Sequence, residues 1–131
     1  MSDLYKFVPR FLSEQSEVLT VIYEDPYLSI DTAKQIFNKK KFKIVAIGYP
    51  NADIDKKIAD IRKFDGNTPA NRKNDEKLHI FVQTMINNSR NLAAKAKKHK
   101  ILFIDTSNNH NAEIKKFAKS ATQFLCDAEA N

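Results

Sequence analysis

Four side chains able to hold or move a proton stand just past hydrophobic runs in this chain. Asp25 follows Val18–Tyr23, Tyr49 follows Phe42–Gly48, Asp105 closes Ile101–Asp105, and Ser107 lies two residues further on. If each run is a parallel strand, all four gather at one carboxyl edge, where open α/β sheets bind ligands. One reading is therefore an enzyme with an unfamiliar site built from Asp25, Tyr49, Asp105 and Ser107. Asp25-Pro26 makes an equally good turn, because an Asp side chain bonds nearby amides and proline presets φ. A second set is cationic. Arg62, Arg72 and Lys73 can hold phosphate through a guanidinium fork or an ammonium point charge. Solvated charges at a helix end and in a polar loop account for them equally well.

Several chemistries lack their residues. His79, His99 and His110 show no ligand spacing and no accompanying cysteine pair or carboxylate cluster, so no metal is expected. His110 is the least implausible acid–base group, and a solvated helix cap is the simpler reading. No serine sits in a nucleophile elbow. The only glycines are Gly48 and Gly66, so neither G-x-x-x-x-G-K-[ST] nor G-x-G-x-x-G is present to cradle phosphate on bare amides. No cofactor and no catalytic residue is assigned. A single cysteine, Cys126, excludes an internal disulfide framework and suits a reducing cytoplasm.

Charge points toward acidic partners. Twenty-two Lys and Arg against sixteen Asp and Glu leave +6, which favours a nucleotide, a nucleic acid or an acidic protein face without choosing among them. Lys39, Lys40, Lys41 and Lys43 lead into one strand, and Lys97, Lys98 and Lys100 into another. A parallel sheet would carry both groups to its amino edge as one basic patch for nucleic-acid phosphates. The same lysines also suit helix C-termini for ordinary dipole reasons. No apolar run is long enough to cross a bilayer, and the N-terminal MSDLYKFVPRFL lacks a secretory leader's pattern, so the expectation is cytoplasmic with no membrane.

One domain of 131 residues must position these groups. Leu4, Phe7, Val8, Phe11 and Leu12 have amphipathic helical spacing, with Pro9 expected to start or kink that helix. Val18–Tyr23 reads as a strand, and Ser29 and Asp31 as caps for a short helix over Thr32–Asn38. Phe42–Gly48 is a second strand, followed by a helix near Asp53–Phe64 and a polar loop over Asp65–Asn74. A long helix runs from Asp75 to Lys98, its inward stripe being Leu78, Phe81, Val82, Met85, Ser89, Leu92, Ala93 and Ala96. Ile101–Asp105 is the third strand, and the last helix lies near Ala112–Leu125. The order α-β-α-β-α-α-β-α predicts a three-layer α/β/α domain with a small, mainly parallel three-stranded sheet.

The series from Val18 through G-Y-P (Gly48-Tyr49-Pro50), NADIDKKIADIRKF and ILFIDTS resembles the C-terminal half of shikimate- and nucleotide-kinase-like P-loop kinases. It covers about residues 4–125, and Ile44–Ser107 is its best part. The resemblance implies that 65–74 is a lid with Arg62, Lys63, Arg72 and Lys73 as its basic groups. It also implies that Asp105, Thr106 and Ser107 form the loop beside adenine. The departures are larger: no phosphate loop precedes Val18, and the family's first two strands do not fit in residues 1–17. Without that loop the β- and γ-phosphates and Mg²⁺ have no holder. In the family the phosphate-loop strand lies between those matching Val18–Tyr23 and Phe42–Gly48. Here those two strands are expected to pair directly, or a partner protein to supply the missing one.

Two further functional readings stand beside the unfamiliar enzyme. The first is a non-catalytic, kinase-like binding or regulatory domain, a truncated or split kinase unable to transfer phosphate alone. The second is a small basic protein that binds nucleic acid or a nucleoprotein complex, such as a phage or mobile-element factor.

Overall fold

A helix and the short helix that packs on it carry the first of two compact units, Met1–Ile44 with Ala121–Asn131. The second is Val45–Ser120. The computed structural model describes residues 3–15, 22–37 and 41–130.

In the first unit α1 (Asp3–Gln15) runs through Pro9 instead of breaking there. The proline removes one backbone donor, and burial of Val8 and Leu12 one turn apart offsets the loss. Both join Ala33 and Phe37, with Leu28, Ile36, Phe42 and Ile44 packed around them. Phe7 and Phe11, expected to point inward, are exposed and stack on each other at 5.5 Å. α2 (Ile30–Ile36) starts two residues earlier than expected, because Ser29 caps it: the Ser29 hydroxyl accepts the Thr32 amide at 3.1 Å.

The three-stranded sheet is corrected to two strands among the described residues. Of the expected Val18–Tyr23 strand, residues 18–21 lie outside the described residues, and Ile22 and Tyr23 belong to no strand. The direct pairing or partner-strand insertion expected at that run falls outside them too.

The second unit holds β1 (Val45–Gly48), α3 (Ile54–Phe64), α4 (Asp75–Lys98), β2 (Leu102–Asp105) and α5 (His110–Ala130) up to Ser120. The strands pair in parallel, Val45 opposite Leu102 through Gly48 opposite Asp105. β1 begins at Val45 rather than Phe42, since Phe42 and Ile44 are drawn into the first unit's apolar cluster. α4 packs on both strands and α3 packs on α4. Leu78, Val82 and Ile86 are completely or almost completely buried and meet Ile61 of α3. Ile86 lies outside the expected stripe, although it follows Val82 by one turn.

Gly48 makes the close approach of α4 possible. A Cβ there would come within 3.1 Å of the Phe103 ring of β2 and of the Ser89 hydroxyl of α4. Asp53 caps α3 by accepting the Lys56 amide at 2.8 Å, and Asn74 caps α4 by accepting the Lys77 amide at 2.9 Å. These two caps set the starts of the helices that flank the 65–74 loop.

Candidate functional site

The carboxyl ends of β1 and β2 are joined beyond the last strand pair. The Gly48 carbonyl accepts both the Thr106 amide, at 2.8 Å, and the buried Thr106 hydroxyl, at 3.1 Å. This brings Tyr49-Pro50-Asn51 beside Asp105-Thr106-Ser107. One Asp105 oxygen accepts the Ser107 amide at 2.9 Å and the Ser107 hydroxyl in a short contact; the other accepts the Asn51 side-chain amide at 3.2 Å. Ser107 Oγ in turn accepts the Asn51 backbone amide at 2.9 Å. Lys56 donates to the Asn108 carbonyl at 3.3 Å, and Arg90 Nε to the Pro50 carbonyl at 2.9 Å.

Electrostatics follow from those partners. Burial pulls the Asp105 carboxyl upward, but the Ser107 hydroxyl, the Ser107 amide and Asn51 together outweigh it and hold the group below the ordinary carboxylate range. It is therefore ionised at neutral pH and a weak proton acceptor. A serine hydroxyl bonded to such a carboxylate gains little nucleophilicity, because the base is poorly matched to the task. Burial pushes the Tyr49 phenol up, so it stays protonated; the Lys57 ammonium lies 4.3 Å from its ring centroid. Asp25, the fourth member of the expected set, belongs to the first unit. There its carboxylate accepts the amides of Tyr27 and Leu28 at 2.9 and 3.1 Å and the Tyr23 hydroxyl at 3.0 Å. This is the geometry of an Asx turn.

The 65–74 loop is tied to the helix before it. Arg62 donates to the Asn71 carbonyl and side chain, to the Lys73 carbonyl at 2.8 Å and to Asp75 at 2.8 Å. Its guanidinium fork is thus occupied by the loop itself. Asn71 further donates to the Gly66 carbonyl at 2.7 Å, and Gly66 takes φ +57°, a conformation open to glycine. Lys73 sits over the Phe81 ring at 5.5 Å, while Arg72 is exposed.

Of the expected basic patch, Lys39 and Lys40 lie outside the described residues. Lys41 donates to Ser13 at 2.9 Å and, with exposed Lys43, belongs to the first unit. Lys97, Lys98 and Lys100 are exposed in the second unit. His110 opens α5 in an exposed position, and no metal-holding cluster of three or more ligating residues occurs among the described residues. No helix among them is long and apolar enough to cross a membrane.

Sequence reasoning missed Asn51, Lys56 and Arg90. Asn51 carried a usable signal, since an Asn after a strand-ending Gly-Tyr-Pro is a turn residue able to reach across. Arg90 carried none, because 40 residues separate it from Pro50. No protein-family model matches the chain, and no curated protein and no solved structure matches it either.

Proposed function

We propose that this chain acts by binding an acidic partner, as a non-catalytic α/β domain built like the back half of a P-loop kinase. One observation carries the reading: Asn51, Asp105, Thr106 and Ser107, at the carboxyl ends of the strand pair, are bonded to one another or to the Gly48 carbonyl. Asp105, Ser107 and Asn51 form a mutual set, Thr106 is held by Gly48, and Arg62 is held by the loop it would have to leave to grip phosphate. A transferred phosphoryl group needs free cations and a metal holder around it, whereas a rigid, self-satisfied edge serves as a frame.

The distribution of charge supports an acidic partner. The second unit's sequence has fifteen Lys and Arg against eight Asp and Glu, and the rest of the chain is nearly balanced. The test is a screen of the whole chain for Mg-ATP-dependent phosphotransfer to small hydroxylated acceptors, together with binding to acidic polymers at two salt concentrations. The expected result is no transfer and saturable binding that weakens as salt rises. Phosphotransfer abolished by Asp105→Asn would overturn the proposal in favour of an enzyme.

A further inference from the structure

Helix α4 carries a polar stripe along its outer face that contains no carboxylate. Thr84, Asn88, Asn91, Lys95 and Lys98 recur every three or four residues, and all are exposed. From Thr84 to Lys98 the stripe is about 21 Å long at the α-helical rise. No acidic residue occurs between Glu76 and Asp105, a segment that holds Lys77, Arg90, Lys95, Lys97, Lys98 and Lys100. Solvated helices ordinarily interleave carboxylates with their cations at i, i+4 spacing. Here Lys97, Lys98 and Lys100 have no carboxylate partner among the described residues.

The end of the helix adds an independent sign. The Ile101 amide bonds to the Ala96 carbonyl at 2.8 Å and the Lys100 amide to the Lys97 carbonyl at 3.2 Å, which is a Schellman closure. Its left-handed position is normally glycine, yet it is Lys100, at φ +54°. A helix C-terminus carries roughly half a negative charge, which one cation satisfies. Four lysines in six residues, one of them on strained backbone, exceed that need, and retained strain of this kind points to use.

We infer that this face, Asn88, Asn91, Lys95 and Lys98 with Lys97 and Lys100 at its end, binds the phosphodiester backbone of nucleic acid. Ammonium and amide groups are the donors that contact phosphate oxygens, and an α-helix fits the width of a duplex major groove. The inference rests on the reading of the chain as a binding domain and names its partner and surface.

The experiment is fluorescence anisotropy of the full chain with labelled duplex DNA, single-stranded DNA and single-stranded RNA, and with labelled polyglutamate, between about 50 and 200 mM salt. The Lys97→Gln/Lys98→Gln/Lys100→Gln variant is expected to bind at least tenfold more weakly at the low salt. The steepness of its log–log salt dependence should fall by about 0.9 for each duplex phosphate that the variant no longer neutralises. Asn88→Asp/Asn91→Asp, with unchanged circular dichroism, is expected to weaken binding as well, while Lys63→Gln/Arg72→Gln/Lys73→Gln keeps wild-type affinity. The arm bound most tightly assigns the form of nucleic acid. Stripe variants that bind every nucleic acid like wild type overturn the inference. Binding of polyglutamate alone overturns it but leaves the binding-domain reading standing, and binding of no polymer at low salt removes both.

Discussion

Three residues have effects that their atoms alone predict. Gly48→Ala would place a methyl group 3.1 Å from Phe103 and Ser89. Overpacking there is expected to cost about 1–3 kcal/mol, read as a lower urea midpoint; an unchanged midpoint would mean that α4 moves away freely. Lys100→Gly relieves a left-handed backbone and is expected to add about 0.5–1 kcal/mol of stability in the same measurement. Asp105 makes stability depend on pH. Its carboxyl titrates lower in the folded chain than in the unfolded one, so its contribution is complete above the unfolded value of about 4 and fades as pH falls through the folded value. Asp105→Asn should therefore lower the midpoint at pH 7, and the gap to wild type should narrow below about pH 4 and then close. A gap that stays constant into acid would show that the charge of Asp105 contributes nothing.

At the scale of elements, the Arg62 side chain ties the 65–74 loop to α3. Arg62 reaches two carbonyls and two side chains across it. Arg62→Ala leaves those acceptors without a donor, at an expected cost of about 1–3 kcal/mol. Proteolytic nicking within 66–73 should become faster, since that segment loses its tie to α3; cleavage at the wild-type rate would argue against this role. The loop was legible beforehand, because Gly66 and Pro69 signal it locally; Asp53 and Asn74 are residue types that suit caps, but their capping role came from the structure. The span of α4 was also legible, since its periodicity persists from Asp75 to Lys98. The strand limits were less so. Phe42 and Ile44 have strand-like types, but whether such residues join a ladder or an apolar cluster depends on what lies beside them.

For the whole molecule, charge is the quantity that separates the two units. All of the positive excess falls in Val45–Ser120, so polyanions should act through that unit. At low salt they are expected to shift amide resonances of residues 84–100 while leaving Val8, Leu12, Ala33 and Phe37 in place. Equal shifts in both sets would show that the charge asymmetry does not direct binding. The two-stranded sheet belongs to this scale as well. Pairing of Val45–Gly48 with Leu102–Asp105 closes a crossover of more than fifty residues, made worthwhile by the packing of α4 on both strands and by burial of Leu78, Val82 and Ile86 against α3.

Local chemistry written along the chain determined the helices, their caps, the polar loop, the shortage of glycine for a phosphate loop and the surplus of lysine. These depend on neighbours within a turn or two, where propensity and hydrogen bonding act directly. Only the tertiary structure decided which polar groups remain available. Asp105 looked like a ligand-site carboxylate and Arg62 like a phosphate grip because residue type announces what a side chain can bind. Asn51, 54 positions from Asp105, and the loop beyond Arg62 show what each does bind. Such pairings arise only when strands distant in sequence come together, and they tie the carboxyl ends of β1 and β2 to each other and the 65–74 loop to α3.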